Sequence, residues 1–353
     1  MFGFFKNSPG GQLVIEGSDF QAPIKAGQSI LQAATTARIK FPNMCNVGEC
    51  GTCKCRLVEG SVRLKRDITH HVSLEELEQG YILGCQAIPD GNVLVQVPGL
   101  SATDTSTVVT AGTISALRKL THDILEVSVK LDQAVHYKAG QYARLSVPGE
   151  PSLVDVERNY SFASYAASGE SAQATFHIRH VPGGQFTDWL FATDRVGTRL
   201  DVAAPYGDFH YRPSQRPLLF IAGGSGLAPV QALLEQLKAE GYSGQISLLL
   251  GARQQRDIYG SELAAELAQA FPGRFSFHPV LSGVAEDATW TGLRGYVTDH
   301  LQQLAPQLGE HDVYMCGPPV MLDGVLAHLE GKVPAERVHY DKFLDQSSLN
   351  AAN

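Results

Sequence analysis

The chain has 353 residues, 44% of them hydrophobic and 18% charged, with a formal net charge of −8 and six cysteines. That length calls for two or three domains rather than one core, and the hydrophobic fraction excludes a mainly disordered chain. The acidic balance excludes a nucleic-acid binder that works by wholesale phosphate neutralisation, and six cysteines are too few for a disulfide scaffold.

The opening MFGFFKNSPGG lacks the long apolar core and small-residue cleavage site of a secretory leader. No stretch approaches the roughly 18 apolar residues of a membrane span, so a cytoplasmic protein is expected. Residues 1–100 hold nine basic and nine acidic side chains, which leaves the whole −8 to residues 101–353. Within the first hundred residues QLVIEG and FQAPIKAG read as a hairpin and SILQAATTARI has the apolar spacing of a helix. Residues 43–54 have no period and read as a loop. CRLVEGSVRL resumes a strand pattern, VSLEELEQG is a short helix stopped by glycine, and NVLVQVPG is a closing strand. This predicts a small α+β domain over 1–100 that carries a cysteine loop.

SATDTSTVVT, residues 101–110, reads as a linker. Residues 108–211 then carry short β-like runs: TVVTAGTISAL, ILEVSVKL, YARLSV, NYSFASY, ATFHIRHV and TRLDVAAPYG. Their glycine and proline turns predict a small antiparallel β-barrel, with one helical insertion at GQFTDWLFA. From residue 212 the rhythm changes to buried-type strands (PLLFIAGG, QISLLLGA, RFSFHPVLS, DVYMCG) alternating with helices such as APVQALLEQLKAEG and GSELAAELAQAF. That is βα repetition, and it predicts a parallel sheet covered by helices over 212–353.

Cys45, Cys50 and Cys53 form C-x4-C-x2-C, and Cys85 follows after 31 intervening residues. This is plant-type [2Fe-2S] spacing: three thiolates on one tight loop wrap the cluster and a fourth, from another segment, completes the iron coordination. Gly48 and Gly51 let backbone N–H groups approach an electron-rich cluster. A Rieske centre needs two histidines that the loop lacks, and zinc favours paired close ligands, which Cys85 does not have. Cys55 reads as a small core residue facing away.

Arg158, Tyr160 and Ser161 give R-x-Y-S in a strand-rich region. An arginine fork pairs with phosphate, a tyrosine two positions on shares its strand face, and the serine hydroxyl suits the reactive edge of a flavin. Gly183, Gly184 and Thr187 precede and enter the inserted helix, a backbone cradle suited to a pyrophosphate. GGSGLAP, Gly223 to Pro229, follows the strand PLLFIA and opens a helix. It is neither a Walker motif nor a full G-x-G-x-x-G, yet Gly223, Gly224, Ser225 and Gly226 let a diphosphate approach backbone N–H groups. A second strand end, YMCGPP, carries Cys316, Gly317 and Pro318, and two such ends on one parallel sheet define a cleft at its carboxyl edge. Cys316 has no adjacent general base and is not read as a covalent nucleophile.

These blocks, in this order, resemble the NADH-dependent ferredoxin-flavin reductase components of bacterial aromatic-ring and hydrocarbon oxygenases. CNVGECGTCK, GARQQRD and GQSIL also carry the likeness, which spans almost the whole chain. The resemblance implies a multidomain protein: an α+β β-grasp ferredoxin domain, an antiparallel β-barrel flavin domain and an α/β parallel-sheet nucleotide domain. It implies that Cys45, Cys50, Cys53 and Cys85 bind the cluster, and that Arg158 holds a flavin phosphate with Ser161 near N5. It implies that Gly184 and Thr187 form the pyrophosphate turn, and that the strand from Phe176 to His180, with His177 and Arg179, runs beside the flavin. Gly223, Gly224, Ser225 and Gly226 match the dinucleotide diphosphate loop, Cys316, Gly317 and Pro318 the nicotinamide entry, and Phe343 an aromatic on the flavin face. Tyr160, Ser161, Cys316 and Phe343 would thus flank the reacting rings.

The implied cofactors are FAD rather than FMN, a [2Fe-2S] cluster, and NADH as substrate. Arg253 and Arg256 offer positive charge after the second sheet strand and Asp257 opposes it, which favours NADH over NADPH. The implied partner is a terminal oxygenase or hydroxylase, with the likeness to the xylene-oxidising branch pointing to a membrane-bound di-iron type. A monomer without its own transmembrane segment, cytoplasmic and transiently at the inner membrane face, is expected. The rival reading is a stand-alone diaphorase or stress reductase with a small-molecule acceptor. A joined ferredoxin domain speaks against it, because such an acceptor takes electrons from flavin directly.

Overall fold

The computed structural model describes residues 10–37, 39, 41–43, 47–48, 51–98, 107–283 and 289–343. The chain divides into two compact units, one running up to Val108 and including Tyr206–Asp208, the other made of Val109–Pro205 and Phe209–Asp345.

In the first unit β1 (Gly11–Ile15) and β2 (Gln21–Ile24) form the expected hairpin, with Gly11 opposite Ile24. Helix α1 (Ile30–Thr36) begins at Ser29, whose side chain forms a reciprocal capping box with Gln32. It buries Ile30, Leu31, Ala33 and Ala34 in the same core as Leu13, Ile15, Ala22 and Ile24 of the hairpin. Then come β3 (Lys54–Glu59), β4 (Val62–Leu64), α2 (Leu74–Glu78), β5 (Tyr81–Leu83), β6 (Ala87–Pro89) and β7 (Val93–Gln96). The main sheet has the order β2-β1-β7-β3-β5, with β1 and β7 parallel, and β4 pairs separately with β6. The stretch CRLVEGSVRL is split at Gly60, which turns at φ +96°. A Cβ there would stand 2.4 Å from the Asn92 carbonyl, so only glycine fits. The result is the expected α+β arrangement.

The second unit has two layers. The barrel layer comprises β8 (Val108–Lys119), β9 (Ile124–His136), β10 (Tyr142–Ser146), β11 (Arg158–Ser161), β12 (Glu170–Arg179), α3 (Gln185–Ala192) and β13 (Arg199–Tyr206). Its six strands run β11-β10-β13-β8-β9-β12, and the two end strands meet through an antiparallel bridge between Phe162 and Phe176. The sheet therefore curls round a core that includes Val127, Val129, Phe162, Phe176 and Leu190.

The nucleotide layer comprises β14 (Leu218–Gly223), α4 (Leu227–Ala239), β15 (Ile246–Ala252), α5 (Ser261–Ala270), β16 (Phe275–Leu281), β17 (Leu293–Arg294), α6 (Leu301–Leu304), β18 (Asp312–Gly317), α7 (Pro319–Leu329) and β19 (Val338–Lys342). Its strand order is β17-β16-β15-β14-β18-β19, with parallel pairing throughout the sheet. Every residue of β14 is buried, and its alternation assigns Leu218, Phe220 and Ala222 to one core and Leu219 and Ile221 to the other. A continuous apolar run is what a strand covered on both faces requires. The first of these cores continues into the barrel layer through Ile124, Ala139 and Phe209, which binds the two layers into one unit. No helix among the described residues is long and apolar enough to cross a membrane.

Candidate functional site

The cysteine site is built by β3 and β5. Lys54 pairs with Leu83, and just beyond that pair the Gly84 N–H donates to the Cys53 carbonyl at 2.9 Å. Two cysteines separated by 31 residues in sequence are thereby brought to the same end of the sheet. Gly84 permits the approach, since a Cβ there would press on the Phe41 ring at 3.1 Å. Cys53 and Cys85 are both buried, and the Gln86 Nε2 reaches the Cys85 Sγ at 3.4 Å. Gly48 and Gly51 have φ of +91° and +71°, in keeping with the loop geometry expected of them. Cys45 and Cys50 lie outside the described residues. Cys55 points into the core of the unit, and burial, reinforced by the nearby Cys85, pushes its thiol up to about 12. A neutral thiol of that kind is a poor metal ligand. The soft donors Cys53 and Cys85, drawn together on a glycine-bearing loop, fit an iron-sulfur cluster.

On the barrel, Arg158, Tyr160 and Ser161 stand on β11, paired to β10 with Tyr160 opposite Ala143 and Ser161 opposite Tyr142. Arg158 is half-buried, and its Nη1 donates to the Glu157 carbonyl at 2.8 Å. The half-buried Tyr160 ring packs against Phe186 of α3, with centroids 5.4 Å apart, and desolvation raises its phenol. Ser161 is buried. The turn before α3 is shaped by Thr187, whose hydroxyl accepts from the Val181 N–H at 3.1 Å and donates to the Val181 carbonyl at 3.0 Å. Thr187 therefore acts on the shape of the turn, while Gly183, exposed at φ +78°, and Gly184, the residue preceding the helix, leave its backbone open. An open backbone at a helix N-terminus, close to the aromatic pair Tyr160 and Phe186, fits a flavin with its pyrophosphate.

The parallel sheet brings its two glycine-bearing strand ends into backbone contact. A Cβ on Gly226 would stand 2.2 Å from the Cys316 carbonyl, and one on Gly317 would stand 3.0 Å from the Gly223 N and O. Gly224 turns at φ +55° and Gly317 at φ +150°. Ser225 is half-exposed, and Pro318, also exposed, caps α7. These ends belong to β14 and β18, and β14 has β15 on one side and β18 on the other, so the crevice lies at a topological switch point. Backbone crowding that excludes side chains, with amides at the mouth, fits a dinucleotide diphosphate. Cys316 is fully buried, and burial raises its thiol well above the ordinary range, in keeping with no nucleophilic role. The Phe343 N–H donates to the Gly317 carbonyl at 2.9 Å, and its ring packs on the core that contains Cys316 and Tyr259.

His177 and Arg179 on β12 do more than supply backbone contacts. The His177 side chain is 1% exposed, with Nε2 3.6 Å from Glu126 Oε2 and Nδ1 3.3 Å from the Tyr259 hydroxyl. Arg179 Nε donates to Asp123 at 2.7 Å, and its Nη1 lies 3.4 Å from the position a Cβ on Gly224 would take. His177 and a bidentate Arg118, with bonds of 2.9 and 3.0 Å, hold the Glu126 carboxyl at about 2 against the opposing effect of burial. Burial lowers His177. Asp257, expected to oppose a 2'-phosphate, accepts from the Gln254 N–H at 2.9 Å and lies 3.3 Å from His122, so it caps its own turn. Glu126 and Tyr259 were missed by sequence reasoning. The one signal for Tyr259 was an aromatic residue just past GARQQRD.

Three family patterns cover the chain: residues 13–90 match the 2Fe-2S iron-sulfur cluster binding domain, 111–211 the oxidoreductase FAD-binding domain and 220–326 the oxidoreductase NAD-binding domain. The chain is 36% identical over 346 residues to the xylene/toluene monooxygenase electron transfer component of Pseudomonas putida, covering 98% of this chain and 97% of that one. It is 34% identical over 326 residues to the toluate 1,2-dioxygenase electron transfer component of Pseudomonas putida, covering 90% and 93%. Among solved structures, the Amycolatopsis cytochrome P450 reductase GcoB superposes with a TM-score of 0.77 at 31% identity, covering 94% of this chain and 98% of that one.

Proposed function

This chain belongs to the electron-transfer flavoprotein components of aromatic and hydrocarbon oxygenase systems, and from that premise we propose how its residues divide the work. Bound together, the groups supply a hydride from NADH, two-electron storage on FAD and one-electron release through [2Fe-2S] to a separate terminal oxygenase.

The chain's own part is to bind, align and desolvate. The amides of Gly223–Gly226 hold the dinucleotide diphosphate, and the bare backbone of Gly317 beside Pro318 leaves room for the nicotinamide. Arg158 and the open turn at Gly183–Gly184 hold the flavin phosphates, while Tyr160 packs on its ring and the buried Ser161 hydroxyl is available near the reacting edge. Phe343, tied to Gly317, covers the same place until the nicotinamide arrives. Cys53 and Cys85, with Cys45 and Cys50 from the same motif, carry the cluster. The observation that carries this reading is the meeting of the two glycine-bearing strand ends beside β12, where Arg179 stands against Gly224. It supports the reading of a dinucleotide loop next to a flavin strand within one compact unit.

The acceptor we propose is a membrane-bound di-iron hydroxylase, served by a monomeric cytoplasmic reductase that visits the inner membrane face; the xylene/toluene relative supports this choice. Anaerobic titration of the purified protein with NADH, followed by absorbance and EPR, should show flavin bleaching and then a reduced [2Fe-2S] signal. Absence of either group ends the proposal. Turnover with a soluble oxygenase but not with a membrane di-iron hydroxylase would replace the acceptor alone.

A further inference from the structure

Three strands of the barrel layer set a row of polar side chains on one face: Arg118 on β8 is paired with Glu126 on β9, which is paired with His177 on β12. The row ends at Tyr259, which precedes α5 in the nucleotide layer. The Tyr259 hydroxyl donates to the Gly224 carbonyl at 3.0 Å and lies 3.3 Å from His177 Nδ1. Tyr259 is 7% exposed and its ring stands edge-on to the imidazole at 5.5 Å. The chain of contacts is thus Glu126, His177, Tyr259, Gly224, and it crosses from the barrel to the dinucleotide loop.

Both ends of this chain, a carboxylate oxygen and a backbone carbonyl, only accept hydrogen bonds. Three gaps therefore need three protons, while a neutral imidazole and a phenol supply two. With the Tyr259 proton on Gly224, the imidazole has one proton for the two gaps that remain. The gap to Glu126 is the longest of the three at 3.6 Å, beyond hydrogen-bond distance. The proton deficit falls at the barrel end, and the bond to Gly224 is kept.

That bond matters because a peptide unit is planar and trans: its C=O and the following N–H point in opposite directions. Holding the Gly224 carbonyl inward aims the Ser225 N–H outward; the Leu227 N–H also donates to this carbonyl, and Tyr259 adds a side-chain donor at a glycine whose φ of +55° no side chain of its own restrains. We propose that Tyr259, braced by His177, is a positioning residue that fixes the Gly224–Ser225 peptide plane so that the Ser225 amide faces the dinucleotide diphosphate. This rests on the reading that Gly223–Gly226 hold the dinucleotide. It assigns to a tyrosine outside every glycine motif a share of the affinity for NADH.

The test is Tyr259→Phe in the FAD-loaded, full-length protein, with anaerobic stopped-flow flavin reduction at increasing NADH, normalised to bound FAD. Loss of one hydrogen bond to a half-buried carbonyl predicts an apparent Kd for NADH raised roughly 5- to 10-fold, with the limiting reduction rate changed by less than about twofold. Amide hydrogen exchange over residues 223–227 should rise in the variant before NAD+ is added. His177→Gln should give a smaller rise in Kd, because it removes the brace and leaves the phenol. An unchanged Kd, a fall confined to the limiting rate, or loss of FAD at normal Kd would each overturn the assignment. If NAD+ fails to protect residues 223–227 in the wild-type protein, the dinucleotide-loop reading falls instead. Protection in the wild type with a wild-type Kd in Tyr259→Phe defeats only the role of Tyr259.

Discussion

The redox sites proposed for the two units are built by opposite means. In the first, function sits in side chains: Cys53 and Cys85 are soft donors drawn together by one pair of strands, and the hydrogen bond between Gly84 and Cys53 sets the register. In the second, function sits where side chains are missing. Gly223, Gly224, Gly226 and Gly317 bring two strand ends so close that a Cβ would collide with backbone or a neighbouring side chain at three of the four, while Gly224 needs a left-handed turn. A thiolate site tolerates modest backbone shifts because the metal–sulfur bond is strong. A backbone cradle does not, because its donors are fixed by the peptide planes themselves.

The largest expected effect separates the units completely. Cys85→Ser should abolish the [2Fe-2S] EPR signal while NADH still bleaches the flavin at close to the wild-type rate. Equal loss of both would show that the units are not independent in this respect. The next effect lies in the glycine cradle. Gly226→Ala puts a methyl 2.2 Å from the Cys316 carbonyl, so the loop must move. A misplacement of about 1 Å should slow NADH-driven flavin reduction by on the order of 100-fold, with the cluster absorbance unchanged. Wild-type kinetics in this variant would end the contrast drawn here.

The smallest effect concerns pH. Glu126 is held at about 2 by His177 and Arg118, so the unfolded chain takes up its proton first. Its contribution to stability is complete above the ordinary carboxylate range and is lost as pH falls from about 5 towards 2. His177, lowered by burial, acts in the same direction, since unfolding exposes an imidazole that takes up a proton as pH falls through about 6.5. The shifted carboxylates of the first unit, Asp67 and Glu76, are lowered by a Thr69 backbone hydrogen bond and by Lys54 respectively, and both are solvent-exposed. The midpoint of thermal flavin release should therefore drop steeply below pH 5, and more gently in Glu126→Gln. Parallel slopes for the two proteins would exclude Glu126 as the source.

Much of this organisation was legible beforehand. The α+β unit, the curled antiparallel sheet and the parallel sheet each follow from local periodicity. β14 was recognisable because a strand covered on both faces has no polar position to alternate with. β5 and β6 were not legible: each has three residues, too few to establish a period, yet together they flank Cys85. β19 was also missed, and it ends beside Phe343. His177 was expected only as part of a strand beside the flavin, whereas its side chain braces Tyr259.

The sequence by itself determined the redox groups, because four cysteines at that spacing, an R-x-Y-S strand and a glycine turn after a buried strand are each local chemical requirements. It also determined their order along the chain. The tertiary structure alone decided which backbone atoms face one another: Gly226 against Cys316, Gly317 against Gly223, and the Tyr259 hydroxyl on Gly224. Those contacts join residues far apart in sequence through strand register and layer packing. No local pattern encodes them, since a glycine or a tyrosine there reads the same as in any loop.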